Sequence, residues 1–185
     1  MQSVTSQARF RPYHGRARAL PFELVSAMAE EAEHALAADG YIHNGTWNAA
    51  PGDAAVRFID HVDVAAVVAE STGLKVEPPR TGAYIAYLDD GQSLDFHLDK
   101  PAFAEASMIL CVKHDRAPDT SGSSATTMIS ADGYQEYPME AGDFVIFDDS
   151  RTGAGDRRTV AMVHARSPSP TARLLLLEYI GGGYP

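Results

Sequence analysis

The chain has 185 residues, 45% of them apolar and 22% charged, with a formal net charge of −10. This composition suits one globular core, too short for two comfortable domains and too apolar for wholesale disorder. The acidic balance argues against a nucleic-acid partner, which needs clustered Lys and Arg. No stretch approaches the roughly 20 apolar residues of a membrane span, since the longest aliphatic block, Leu174 to Leu177, runs straight into Glu178.

At the N-terminus Arg9, Arg11, Arg16 and Arg18 form the only basic cluster, expected as a solvated arm. No apolar core of a signal peptide accompanies them, so a cytoplasmic protein is expected. A helix is predicted from about Pro21 to Ala38, with Leu24, Met28, Ala32, Ala35 and Leu36 at helical spacing and Gly40 as its stop. Tyr41 to Asp53, with Asn44-Gly45 and Pro51-Gly52, reads as turns and loop. A second helix is expected from about Asp60 to Ser71, with Asp60 as N-cap and Gly73 as the stop.

After Pro78-Pro79 the pattern becomes short β-like runs: Ala83 to Leu88, Leu94 to Leu98, Ser107 to Lys113, Ala125 to Ser130, Tyr134 to Tyr137, Asp143 to Asp148, Thr159 to Ala165 and Ala172 to Ile180. About eight strands behind two helices is the count of a jelly roll with helices backing one sheet. The expected organisation is a single mostly β (α+β) domain over 1–185, with a helical support region (1–80) and a double-stranded β-helix core (81–185). The breaks His114 to Ser124 and Asp149 to Arg158 are expected as loops at the mouth of the roll. The single cysteine, Cys111, lies in the apolar run Met108 to Val112 and is expected to be a buried structural thiol.

Chemistry concentrates at Asp95-Phe96-His97-Leu98-Asp99-Lys100-Pro101. On a strand, His97 and Asp99 face the same side. An imidazole and a carboxylate, completed by one more His with positions left open, make the facial set that suits non-haem Fe(II). Six further histidines compete for the third place: His14, His34, His43, His61, His114 and His164. Of these, His164 lies within the penultimate predicted strand, and Arg173 opens the last one.

In these residues the chain resembles the Fe(II)/2-oxoglutarate-dependent dioxygenases, in their prolyl-hydroxylase-like branch. The resemblance covers roughly Arg80 to Ile180. Tyr87-Leu88-Asp89-Asp90-Gly91-Gln92 ahead of His97-Leu98-Asp99 is similar to the Y-x-x-G-Q…H-x-D run, with one extra residue before the Gly. Gly142-Asp143-Phe144-Val145-Ile146-Phe147 is similar to the G-D-x-x-x-F strand that precedes the distal His.

The resemblance implies that His97, Asp99 and His164 hold iron and act as the catalytic centre. It further implies that Arg173 grips the distal carboxylate of the co-substrate 2-oxoglutarate. The chemistry agrees with those residue types. Two imidazoles and one carboxylate leave three cis positions, enough for a bidentate 2-oxo acid and O2. A guanidinium fork matches a carboxylate in a way that a Lys cannot. Tyr84 or Tyr87 is a candidate for a further bond to the co-substrate, and only one of them faces the site on a regular strand.

Leu175 stands where many relatives carry a hydroxyl residue, and the spacing from His164 to Arg173 is short, so Arg166 is a rival clamp. Related halogenases replace the carboxylate ligand by Gly or Ala. This chain keeps Asp99, which implies an oxygenase. Hydroxylation, desaturation and ring closure are not separated by sequence. The expected substrate is a small molecule: a free amino acid, a small peptide or a natural-product scaffold. Trp47, Arg57, Tyr84, Lys100 and Arg151 are candidate pocket residues. Two other readings share the roll, a cupin-type metal oxygenase that does not use 2-oxoglutarate and a metal-free ligand-binding module. Oligomeric state is not legible in the sequence.

Overall fold

The computed structural model describes residues 13–16, 21–72, 81–88, 92, 106–115, 125–130, 133–147, 162–166 and 171–179. Three helices and ten strands are formed by these residues: β1 (Tyr13–Arg16), α1 (Phe22–Asp39), β2 (Tyr41–His43), β3 (Thr46–Ala49), α2 (Asp53–Val62), α3 (Val64–Thr72), β4 (Thr81–Tyr87), β5 (Ala106–Asp115), β6 (Ala125–Ser130), β7 (Gly133–Pro138), β8 (Asp143–Phe147), β9 (Met162–Arg166) and β10 (Thr171–Tyr179). The strands form an antiparallel seven-stranded sheet in the order β1-β8-β5-β10-β4-β3-β2 and an antiparallel three-stranded sheet in the order β7-β6-β9.

Three expectations are corrected. Part of the arginine-rich arm is a strand, because Tyr13–Arg16 add to the edge of β8. Tyr41 to Ala49 is a hairpin rather than loop. Asn44 and Gly45, with φ of 49° and 80°, supply the two positive-φ residues of a tight hairpin turn. Finally, the second helical region starts at Asp53, so Asp60 lies inside α2 instead of capping it. The break comes at Asp63, which is left-handed (φ 44°) and closes α2, while its side chain accepts a bond from the Ala66 N–H (3.3 Å) at the start of α3. The predicted stop at Gly73 lies outside the described residues, as does the predicted strand Leu94 to Leu98.

The helices cover one face of the large sheet. Val25, Met28 and Ala32 of α1, Ala54, Ala55 and Phe58 of α2 and Val64 of α3 pack in one cluster with Ala49, Tyr84, Met108, Leu110, Val112, Phe144 and Ile146 of the strands. Burial of large side chains such as Phe58 and Met28 contributes about 1.5–3 kcal/mol each. On β5 and β8 the intervening residues Ile109, Cys111 and Val145 are also buried, although they point away from the helices. At β4, β5 and β8 the large sheet is therefore covered on both faces.

One polar contact fastens the helical layer. The Glu31 carboxylate of α1 accepts bonds from the backbone N–H groups of Gly52 (2.9 Å), Ala54 (2.6 Å) and Ala55 (3.3 Å), and from the Tyr84 hydroxyl of β4 (2.6 Å). It caps a helix that has no side-chain cap of its own. A Cβ at Gly52 would lie 2.8 Å from Glu31 Oε2, so a larger residue there would push the carboxylate from its present position. Burial opposes ionisation of Glu31, but the bonds from Tyr84, Ala54, Gly52 and Ala55 together outweigh it and lower its pKa.

Replacing Glu31 by Gln is expected to cost about 1–3 kcal/mol, since hydrogen bonds to a charged group lose that much, and to lower Tm by roughly 3–10 °C in thermal melts. The depressed folded-state pKa sets the sign of the pH effect. The carboxylate's contribution is complete above the ordinary value of 4.5 and is lost as pH falls through the lower folded value. The difference in stability between wild type and Glu31→Gln should accordingly shrink in acid.

Candidate active site

β4 carries a tyrosine to each face of the large sheet. Tyr84 belongs to the helix-facing core, 1% exposed, and its hydroxyl is taken by Glu31. Burial, the Glu31 bond and the Glu31 charge all raise its pKa, so it stays a neutral donor. The co-substrate role read for Tyr84 is thereby corrected: it is a core residue that holds the helical layer. Tyr87 is equally buried at 1% but lies three residues on, on the opposite face, with no hydrogen-bond partner among the described residues. Burial raises its pKa as well.

Two rows of residues cross the sheet near this point. Tyr87, Ala172 and His114 are cross-strand partners on β4, β10 and β5. The next row is Ala86, Arg173 and Lys113, with a shift in register between Arg173 and Leu174. Lys113 turns to the helical layer, where its Nζ bonds Glu33 of α1 (2.7 Å) and Asp115 (2.9 Å). His114 is buried. Its Nδ1 lies 3.0 Å from the Met139 carbonyl oxygen, which can only accept, so this nitrogen carries the proton. Glu140 Oε2 is 3.9 Å away.

The small sheet carries His164 on β9 opposite Thr127 of β6, and Arg166 opposite Ala125. The chain thus passes from the small sheet to the centre of the large one between His164 and Arg173. Among the competing histidines, His34, His43 and His61 are exposed on α1, β2 and α2. His14 lies on β1, paired with Val145. His97 and Asp99 lie outside the described residues, as do Lys100 and Arg151. Among the described residues no group of three metal-ligating side chains occurs. Trp47 is half-buried on β3 between Ile42 and Ala86, and Arg57 is exposed on α2.

The G-D-x-x-x-F run has a structural explanation. Asp143 closes the turn into β8 by accepting from the Glu140 N–H (2.9 Å) and donating its own N–H to the Glu140 carbonyl (2.8 Å). The Gly142 N–H donates to the Cys111 carbonyl (2.8 Å). What sequence reasoning missed is Gln92. Its Oε1 accepts from the Leu88 N–H at 2.6 Å and its Nε2 donates to the Gly45 carbonyl at 3.3 Å. The only signal for it was its place in the Y-x-x-G-Q run.

No protein-family profile matches the chain, and no curated protein matches it by sequence. Solved structures do match. The chain is similar to a Pseudomonas putida prolyl-4-hydroxylase, with 18% identity, 92% of each chain covered and a TM-score of 0.71. It is similar to a prolyl hydroxylase from Trichoplax adhaerens in complex with a hypoxia inducible factor peptide fragment, with 8% identity, 92% of this chain and 83% of that one covered and a TM-score of 0.70. It is also similar to an oxidoreductase of the 2OG-Fe(II) oxygenase family from Burkholderia pseudomallei, with 11% identity, 91% and 84% covered and a TM-score of 0.65. The fold is that of prolyl-hydroxylase-like 2OG-Fe(II) oxygenases.

Cys111, 0% exposed, has its thiol pushed up to about 12 by burial and by the charge of Asp143. It is therefore expected to be inert to a thiol reagent at pH 8 in the folded protein and to titrate fully only in denaturant. Rapid modification of the native chain would show that the second face of the sheet is open.

Proposed function

We propose that this protein is a non-haem iron oxygenase that couples oxidative decarboxylation of 2-oxoglutarate to hydroxylation, or a related oxidation, of a small amino-acid, peptide or natural-product substrate. The observation that carries this reading is the likeness of fold to a prolyl-4-hydroxylase over 92% of both chains. A peptide fragment in the Trichoplax complex favours a peptide or amino acid among the substrate classes.

On this reading the two sheets form a double-stranded β-helix, with the small sheet over the face that carries Tyr87, Ile109, Cys111 and Val145. That face is buried, which a second β layer explains. β9 is an edge strand among the described residues. The predicted strand Leu94 to Leu98 is its proposed neighbour, bringing His97 and Asp99 alongside His164. Their donor set, two imidazoles and one carboxylate, fits ferrous iron. Bound there, the metal supplies the activation of O2 and of the 2-oxo acid.

The chain's own residues do the rest. His97, Asp99 and His164 hold and orient the metal, and a guanidinium binds the distal carboxylate of 2-oxoglutarate through paired hydrogen bonds. Arg173 and Arg166 are the two candidates for that clamp; the register sets Arg173 in the row of Ala86 and Lys113 and not in that of Tyr87, which weighs toward Arg166. The Tyr87 phenol, kept protonated by burial, is a ready donor on the same face as the proposed pocket. Apolar neighbours on that face exclude water from the reaction.

Substitution of His97, Asp99 or His164 by Ala should abolish formation of succinate from 2-oxoglutarate while leaving the fold intact by circular dichroism. Truncation of the clamp should raise the KM for 2-oxoglutarate by roughly 30-fold or more, as expected for a charge left without its partner. Comparison of Arg173→Ala with Arg166→Ala identifies which guanidinium it is. The tyrosines should separate in the same assays: Tyr84→Phe lowers Tm with KM unchanged, whereas Tyr87→Phe raises KM with little loss of Tm. If no variant alters succinate formation and wild type makes none, the oxygenase reading falls.

A further inference from the structure

We propose that Asn44 is a site of self-modification: its side chain closes with the Gly45 main chain to a succinimide, and the braced turn of the β2–β3 hairpin holds that reaction in check. The asparagine amide is one of the chemically labile groups of proteins. The chain has two asparagines, Asn44 and Asn48, in opposite settings. Asn44 is exposed, and neither its side-chain amide nor the Gly45 N–H makes a hydrogen bond among the described residues. Gly45 has no side chain to shield its nitrogen, and nothing lies within 4 Å of where a Cβ would stand. Asn48 is buried, its amide nitrogen donates to the Thr46 carbonyl (3.0 Å) and the Thr46 hydroxyl oxygen (3.1 Å), and Ala49 follows it.

The Gly45 nitrogen loses its proton to hydroxide and attacks Asn44 Cγ. The bond from Cγ to the side-chain nitrogen breaks, and ammonia leaves with a proton returned by water. Water then opens the ring at one of its two carbonyls. Opening at Cγ leaves aspartate, and opening at the main-chain carbonyl leaves isoaspartate, with Cβ inserted into the backbone. The sequence of steps consumes only water and is independent of the oxygenase reading. Ring closure requires the Asn44 main chain to rotate until the Gly45 nitrogen faces Cγ, and the turn opposes that rotation. Both residues are held left-handed, with φ of 49° and 80°. The Thr46 hydroxyl donates to the His43 carbonyl (3.0 Å), and Gln92 Nε2 donates to the Gly45 carbonyl (3.3 Å). Modification therefore follows local opening of the hairpin tip. The isoaspartyl product lengthens the main chain between residues 44 and 45 and so breaks the pairing of His43 with Thr46. Among the described residues β2 pairs with no strand but β3, so it is released from the edge of the sheet.

The test incubates the native chain, and the same chain unfolded in guanidinium chloride, at mildly alkaline pH. Peptide mass spectrometry reads the conversion of asparagine to aspartate or isoaspartate, with Asn48 as the internal control. In the unfolded chain Asn44 should be lost much faster than Asn48. In the native chain its loss should be roughly 10-fold or more slower, because several hydrogen bonds of ordinary weight must open first. Gln92→Glu keeps the acceptor for the Leu88 N–H and removes the donor to Gly45. It should speed loss of Asn44 in the native chain by about 2- to 10-fold, the weight of one such bond, and leave the unfolded rate unchanged. Gln92→Ala, which lacks both bonds, should do at least as much. Native protein carrying the isoaspartyl link should exchange amide hydrogens over residues 41–49 faster than unmodified protein. Equal loss of Asn44 and Asn48 in the unfolded chain, or equal loss of Asn44 in the native and unfolded chains, overturns the proposal. So does a native chain that loses Asn44 no faster in either Gln92 variant, or a hairpin whose exchange the isoaspartyl link does not change.

Discussion

The carboxylate of Glu31 is the point on which the helical layer depends. α2 begins with no side-chain cap from its own sequence, and Pro51-Gly52 ahead of it offers none. The missing acceptor comes from α1, and the same carboxylate receives the phenol of Tyr84 from the sheet. Three elements are thereby held in one mutual orientation by a single charged group, which is ionised because it receives four donors. The apolar contacts of Phe58, Met28 and Leu110 supply most of the stabilisation, but such contacts are non-directional. The directional bonds select one arrangement of helices on the sheet.

The large sheet then separates two kinds of chemistry by the period of the strand. Side chains facing α1 and α2 are committed to packing and to fixed ion pairs, as with Tyr84 and with Lys113 between Glu33 and Asp115. Residues one place along, Tyr87 and His114, face the other way and meet again across Ala172. A single strand can in this way face a rigid support on one side and the proposed pocket on the other.

Most of the fold was legible from local pattern. The spacing of Met28 and Ala32 located α1, and the β-rich runs after Pro79 located β4 to β10 within a few residues. The rest depended on partners distant in the chain. α2 was placed too late because its cap is supplied by Glu31, while Asp60 offered a misleading local signal. β1 was hidden in an arginine-rich arm because four residues gain a strand only from pairing with β8. The hairpin did carry a signal, Asn44-Gly45 between β-formers, but strands of three and four residues are too short to stand out. At the site, strand parity already placed Tyr84 and Tyr87 on opposite faces. Which face belonged to the helices was not encoded locally, and the contact with Glu31 supplied that answer.

The strand order has a consequence for how the molecule is made. Among the described residues β10, the last of the ten strands to be synthesised, is inserted between β4 and β5, whereas both edges of the sheet come from residues 13–49. Until residue 179 has left the ribosome, β4 and β5 each present an unpaired rim across a vacant slot. Such rims invite pairing with other chains. The nascent polypeptide therefore passes through a stage in which its periphery exists and its keystone does not, and the sheet can be completed only after elongation past that point.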